Sequence, residues 1–223
     1  MATTQTTSPA GLHATSDYTV TTLAIVTSDG TTIDLSSLYL EINLYEDLFS
    51  PCMSGSILMG EALDLISNFK LHGNEYLVMN IDKPGLGKPI NKVFRIYKIG
   101  DRELTGSALQ NYTIYFASEE LILSTQHYVS KSYHGMQISD MVNDLLTNQL
   151  GVPKTKTNFM DKTDGIFNII VPRMQPLEAI QWLATRSYSA NGSLYMFYES
   201  RDGYNFVSIE SLMKLPTYQT YYL

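Results

Sequence analysis

The sequence, 223 residues long, has few of the side chains that build disulfides and metal centres. It contains one cysteine, Cys52, so neither a disulfide within the chain nor a multi-cysteine metal site can form. We interpret Cys52 as a small buried hydrophobe. The two nearest histidines, His127 and His134, lack the His-Glu-x-x-His pattern of a zinc protease. We therefore expect no metal and no cofactor.

Charged side chains are also scarce. They make up 17% of the chain, the net charge is −7, and the lysines and arginines form no large cluster. Because a phosphate backbone is bound mainly by such cations, we expect no sequence-specific nucleic-acid binding. So low a charge content is expected if partners cover part of the surface, and a surface rich in Thr and Ser would lower it too. No apolar run approaches the roughly 20 residues that a helix needs to span a bilayer.

The first 17 residues contain little that could form a core. They are mainly Thr, Ser, Ala and Gly, with one proline. Such a segment cannot bury enough apolar surface to fold alone. We predict an arm over residues 1–17 that is flexible or becomes ordered only on a neighbouring molecule.

Apolar residues that alternate with period two predict β-strands in the first half of the chain. The strictest alternation covers residues 38–45, and further strands are predicted at 18–27, 54–59, 75–81, 93–99 and 111–117. In 38–45 the residues expected to face the core are Leu38, Leu40, Ile42 and Leu44, and those expected to face outward are Tyr39, Glu41, Asn43 and Tyr45. Six short strands with hairpin signals such as Asp29-Gly30 predict an antiparallel barrel or sandwich. One short helix is expected within 61–69, and Gly55 should allow a close approach of neighbouring chain.

The pattern changes near residue 118, where an α+β unit is expected to begin. Helical spacing predicts helices over 138–150 and from Pro176 onward, and Gly151 ends the first of them. A polar loop is expected at 154–165 and a strand at 167–171. Residues 193–199 and 204–209 should form a hairpin around Gly203.

Motifs for catalysis are mostly missing. The stretch Gly85-Leu86-Gly87-Lys88 lacks the spacing of a phosphate-binding loop, and no Gly-x-Ser-x-Gly elbow occurs. Paired carboxylates are the remaining possibility, because sugar-cleaving enzymes use two of them. The candidate pairs are Glu119-Glu120, Glu46-Asp47 and Glu199-Asp202. Adjacent acids in a strand point to opposite faces, and Asp202 precedes a turn glycine, so these residues favour ordinary structural roles. An enzyme is not expected.

Tyrosine, by contrast, is abundant, with 16 residues. Tyrosines combine a large contact area with a polar end and are enriched at protein interfaces, although they also fill ordinary strand positions. Both interpretations stay open for Tyr39, Tyr45 and Tyr115 on the outward face. Together with Asp47 and Phe49, which follow the strand 38–45, they are the candidate subunit-interface residues.

Three stretches together resemble one family. They read LEINLYEDLFSPCMSGS at 40–56, IVPRMQPLEAIQWLATRS at 170–187 and YMFYESRDGYNF at 195–206. Their order and spacing are similar to the baseplate hub proteins of T-even-type contractile-tailed phages, which are related to the spike bases of type VI secretion. The resemblance covers residues 18–212.

The resemblance implies a mainly β fold with α+β: a tube-like antiparallel β-barrel with an inserted α+β domain. The barrel would cover residues 18–117, the insertion 118–208, and the chain would return to the barrel at 209–223. It further implies a virion protein, assembled in the host cytoplasm, that connects the tail tube or a tube-initiator protein to the central spike. It would form a homo-oligomer, a trimer or alternatively a hexamer, around a channel through which DNA passes. No small-molecule substrate is expected.

The chain departs from the family in its length. The hubs carry two barrels per subunit, and residues after 209 leave no room for a second one. Either the chain is the N-terminal portion of a longer protein, or a short hub reaches sixfold symmetry in another way. Two further functions stay open: another tail tube or tail-tip protein, and a tail-associated peptidoglycan hydrolase.

Overall fold

The computed structural model of the chain describes residues 18–83, 88–105 and 109–217. The arm predicted at 1–17 and most of the glycine-rich stretch, residues 85–87, lie outside the described residues. The same holds for residues 218–223, the end of the segment predicted to return to the barrel.

One antiparallel sheet contains all strands of the first half. In chain order they are β1 (Thr19–Val26), β2 (Thr32–Asp34), β3 (Tyr39–Tyr45), β4 (Ser54–Glu61), β5 (Tyr76–Asp82), β6 (Ile90–Thr105) and β7 (Leu109–Ala117). They pair in the order β2-β1-β5-β6-β7-β4-β3, and the sheet curls into a half-barrel. A short helix, α1 (Leu65–Asn68), follows β4. The predicted fold class, mainly β with α+β, is confirmed. Strand β2 was not predicted, because three residues are too few to show a periodicity.

The side-chain orientations predicted for β3 are wrong at its beginning. Tyr39 pairs with Met59 and Glu41 with Leu58, so Leu40 is an extra residue in the ladder, a β-bulge. A bulge reverses the alternation on one side of it. Leu40 is consequently 60% exposed, whereas Tyr39 packs against the core. Beyond the bulge the prediction is confirmed, since Ile42 and Leu44 pack against the core.

Gly55 on β4 lies where no side chain fits. A Cβ atom at this position would be 2.2 Å from the backbone oxygen of Asn43 on β3 and 2.4 Å from the Phe116 ring. Phe116 is fully buried and packs on Phe94 with a ring-centroid separation of 4.8 Å. The close approach predicted for this glycine is therefore confirmed.

We expect Gly55→Ala to lower the free energy of unfolding by about 1–3 kcal/mol, because a buried ring and a backbone carbonyl must both move. Gly60→Ala, on the same strand, is the matched control. Its new methyl would lie 3.0 Å from the flexible, exposed Leu40 side chain and 3.3 Å from the side-chain oxygen of Asn111, and it would approach no backbone atom as closely. The control should change stability by less than about 0.5 kcal/mol. Urea denaturation of both variants measures the difference, and equal losses would contradict the prediction.

The second half of the chain forms an α+β unit. Its elements are α2 (Glu119–Gln126), β8 (Val129–Met136), α3 (Ile138–Asp144), β9 (Thr157–Met160), β10 (Phe167–Met174), α4 (Pro176–Ala184), β11 (Tyr195–Ser200), β12 (Gly203–Ser208) and α5 (Ile209–Met213). Strands β8 and β10 form a two-stranded sheet, and a three-stranded sheet has the order β11-β12-β9. Helix α3 continues into a π-helical turn, Leu145–Gln149, and the chain turns away at Gly151 with φ of +67°. Pro176 begins α4, as predicted.

Two strands of this unit were missed. The segment predicted as a polar loop at 154–165 contains β9, which pairs in parallel with β12. The segment has no apolar alternation of its own, so the pairing with a distant strand determines its conformation. Strand β8 escaped prediction for a related reason, because Val129 and Tyr133 are its only fully buried residues. The predicted hairpin around Gly203 is confirmed.

The described residues contain two hydrophobic cores, which meet at the turn between β3 and β4. Met53 belongs to the core of the curled sheet, and its neighbour Cys52 belongs to the core of the α+β unit. Cys52 is thus a small buried side chain, as expected. Within the described part of the chain, no helix is long and apolar enough to cross a membrane.

Candidate assembly surface and buried junction

A polar cavity of about 320 Å³ lies where the two cores meet. The buried carboxylate of Glu199 on β11 forms one side of it. One carboxylate oxygen accepts hydrogen bonds from the Met53 backbone N–H, at 2.9 Å, and from the Ser118 hydroxyl. The other accepts a hydrogen bond from the Lys92 ammonium at 3.1 Å. Glu199 therefore joins the α+β unit to three separate segments of the sheet.

A second buried carboxylate, Glu120 on α2, forms the other side. It accepts hydrogen bonds from the Lys156 ammonium at 2.7 Å and from the Tyr204 hydroxyl at 3.2 Å. Burial of the Lys156 ammonium acts against its charge. The hydrogen bond and the charge of Glu120, helped by the charge of Glu199, outweigh that effect and raise the pKa of Lys156. We call these residues, Glu120, Glu199, Lys92, Lys156 and Ser118, the junction.

The junction has the geometry of a connection between structural units. All four carboxylate oxygens of Glu120 and Glu199 accept hydrogen bonds from the chain itself. A glycosidase needs one carboxyl group that delivers a proton and a second that faces the substrate or a water. Here both carboxylates are occupied by ammonium, hydroxyl and amide donors. The arrangement can hold segments together, and we assign it no reaction.

The members of two candidate carboxylate pairs have different partners in the structure, although Glu199 and Asp202 line the same cavity. Glu119 accepts a hydrogen bond from the Tyr76 hydroxyl at 2.6 Å, whereas Glu120 accepts one from Lys156. Asp202 lies in the hairpin turn, 3.6 Å from the ammonium of Lys88. The sequence alone did not predict that Glu120 and Glu199 line the same cavity. A signal was present, because the acid Glu199 directly follows the run YMFY at the start of β11.

The single cysteine is buried and has no disulfide partner. Burial raises the pKa of the Cys52 thiol far above its usual range, and a thiol that stays protonated is a poor nucleophile. Across residues 18–83, 88–105 and 109–217, no three His, Cys, Asp or Glu side chains come together as metal ligands would. His127 instead has its Nδ1 3.2 Å from the carbonyl of Leu123.

Three of the candidate interface residues lie together on the surface. Tyr45 ends β3, and Asp47 and Phe49 belong to the turn that follows. The Asp47 carboxylate accepts a hydrogen bond from the Phe49 backbone N–H at 2.9 Å, which fixes the turn. The Phe49 side chain is 80% exposed. We call residues 45–49 the aromatic turn.

An apolar groove of about 310 Å³ adjoins the aromatic turn. Leu48 and Phe49 form one wall. The other side is formed by residues of α4, β11 and the start of α5, among them Ala184, Phe197 and Ile209. The exposed side chains of Tyr45, Leu48 and Phe49 add to the apolar surface of this groove, and burial of such surface drives association.

The two remaining candidates lie elsewhere. Tyr39 packs against the core of the sheet because of the bulge, so the exposed position predicted for it is wrong. Tyr115 on β7 is half-buried, and its hydroxyl donates to the Asp101 carboxylate. The ammonium of Lys98 is 4.7 Å from the centre of its ring.

Comparison with known proteins identifies similar folds. The chain matches no protein-family model and no curated protein. It is similar to the crystal structure of a tail protein from Neisseria meningitidis, with a TM-score of 0.52 and 13% identity over 85% of this chain and 50% of that one. It is also similar to the 43 kDa tail protein of prophage MuSo2 from Shewanella oneidensis, with a TM-score of 0.53 and 10% identity over 84% of this chain and 55% of that one. The chain thus spans about half the length of these two structures. At the level of the fold, the resemblance seen in the sequence is confirmed: the chain has the fold of phage tail proteins.

Proposed function

We propose that the chain is a structural virion protein, a baseplate hub subunit that connects the tail tube to the central spike. The observation that carries the proposal is the fold shared with two tail proteins, one of them from a prophage, over 85% and 84% of the chain. In this proposal the curled sheet, residues 18–117, is the tube-like barrel domain and residues 118–208 are the inserted domain. The return to the barrel is assigned to 209–223, of which 209–213 form α5.

The proposed mechanism is mechanical. Copies of the chain form a ring, a trimer or alternatively a hexamer, with the aromatic turn at the contact between neighbouring copies. Phe49 and Tyr45 are exposed in the single chain and would be buried there. Obligate contacts of this kind typically bury more than about 2,000 Å². The junction supports this role, because it fixes the α+β unit to the sheet so that load on one is carried to the other.

A reconstitution experiment tests the proposal. The chain is mixed with the tail tube protein and the spike protein of the same virion, and the complexes are separated by size. We expect a complex that contains all three, and no association of tube with spike when the chain is left out. If tube and spike associate without the chain, or if the chain clears a band in a cell-wall zymogram, the adaptor proposal is wrong.

A further inference from the structure

The cavity at the junction gathers positive charge within an acidic chain. Its charged lining residues are three cations, Lys92, Lys156 and Arg201, and three acids, Glu120, Glu199 and Asp202. Next to this lining, the ammonium of Lys88 lies 3.6 Å from the Asp202 carboxylate and offsets its charge. The cavity therefore carries no excess of negative charge, although the net charge of the chain is −7. An anion can enter here without the repulsion that an acidic surface exerts.

Arg201 is the lining cation that the chain itself supports least. Its side chain is 24% exposed, and its Nε lies 3.9 Å from the carboxylate of the neighbouring Asp202. Among the described residues, its guanidinium has no hydrogen-bond partner. A guanidinium carries several N–H donors in a planar fork that matches two oxygens of an oxyanion. A ligand that accepts these hydrogen bonds would satisfy a group that is largely removed from water.

The hydrogen-bonding groups left over in the cavity are mainly donors. An ammonium has three N–H donors. Lys156 uses one of them, toward Glu120 at 2.7 Å. Lys92 uses two, toward Glu199 and the Ser200 carbonyl, both at 3.1 Å. The carboxylate oxygens of Glu120 and Glu199 already accept hydrogen bonds from the chain. The complement of such a lining is a ligand rich in acceptors.

The three cations come from three different elements. Lys92 lies on β6, Lys156 ends the short helical turn Lys154–Lys156, and Arg201 follows β11. A carboxylate presents its two oxygens in one plane, whereas a phosphate group presents three or more acceptor oxygens in different directions. We propose that this cavity binds a phosphate group, held by the fork of Arg201 and by the remaining N–H donors of Lys92 and Lys156. The inference does not depend on the role of the protein in a tail.

Titration calorimetry of the whole chain with inorganic phosphate tests this inference, with chloride at the same ionic strength as the reference. We expect saturable binding at a single site. Arg201→Gln should weaken the affinity about tenfold or more, because hydrogen bonds to a charged group are lost. Arg201→Lys keeps the charge without the fork and should give an intermediate affinity. Arg173→Gln is the matched control, because Arg173 is an exposed arginine over the Tyr128 ring and does not line the cavity.

Ribose 5-phosphate distinguishes a phosphate ester from the free ion as the ligand. Tighter binding than that of inorganic phosphate would identify an ester, and equal or weaker binding would identify the free ion. Urea denaturation shows whether each variant is folded. The proposal is wrong if phosphate gives no saturable binding beyond chloride. It is equally wrong if folded Arg201→Gln and Arg201→Lys variants bind phosphate as tightly as the unmodified chain, or if Arg173→Gln weakens binding as much as Arg201→Gln does.

Discussion

Glu199→Ala should lower the free energy of unfolding by about 3–5 kcal/mol, the typical loss when one partner of a buried ion pair is removed. The substitution leaves the largely buried Lys92 ammonium without its carboxylate and leaves the Met53 N–H without an acceptor. Both groups lie where water has little access, so neither recovers its lost interaction. Denaturation in urea, followed by the fluorescence of the single tryptophan, Trp182, measures the loss.

Lys88→Ala is the control for this prediction. Lys88 forms an ion pair with Asp202, close to the junction, but its side chain is solvent-exposed. Removal of such a pair should cost less than about 1 kcal/mol. The double variant Lys92→Ala with Glu199→Ala should be more stable than the sum of the single losses predicts, because no charge is then left unpaired. Additive losses would show that the two side chains stabilise the fold independently.

Phe49→Asp should prevent association of the chain with its own copies while leaving its fold intact. Loss of a central aromatic residue of an interface costs about 2 kcal/mol or more of binding free energy, which raises the dissociation constant roughly 30-fold. A carboxylate buried in its place adds a desolvation cost. Because Phe49 is largely exposed in the single chain, its replacement should change the unfolding free energy by less than about 0.5 kcal/mol.

Light scattering after size-exclusion chromatography measures the effect. The mass measured for the unmodified chain should be three or six times that of one copy. The mass measured for the Phe49→Asp variant should be that of a single copy. Ile170→Asp is the matched control, since Ile170 is comparably exposed but lies on β10, away from the aromatic turn. If the control dissociates equally, or if Phe49→Asp keeps the full assembly, the aromatic turn is not the contact.

Local patterns predicted the parts of the fold that local interactions determine. The alternation at 111–117 predicted a strand, and β7 lies there with Tyr112, Ile114 and Phe116 fully buried. The turn glycine Gly203 and the first-turn proline Pro176 marked their elements correctly, because each is favoured by its own backbone conformation.

Features that depend on distant pairing could not be read in this way. The bulge at Leu40 arises from the register with β4, and the alternation within β3 alone gives no sign of it. The junction depends on contacts between still more distant positions. Ser118 and Glu199 are 81 positions apart and meet only once both cores have formed. Of the candidate interface residues, Tyr45, Asp47 and Phe49 are close in sequence and lie together in the structure. The exposure of Tyr39 and of Tyr115 instead depends on how their strands pair within the sheet.

The bond between Met53 and Glu199 joins positions 146 residues apart, which has a consequence for synthesis of the chain. A ribosome adds about 5–20 residues per second, so on the order of ten seconds pass between the emergence of the first partner and the second. During that interval the nascent sheet carries the Lys92 ammonium and the Met53 amide without the carboxylate that will receive them. This side of the sheet is completed only when β11 arrives, and a product released before that point should reach the cell with this side still open to proteases.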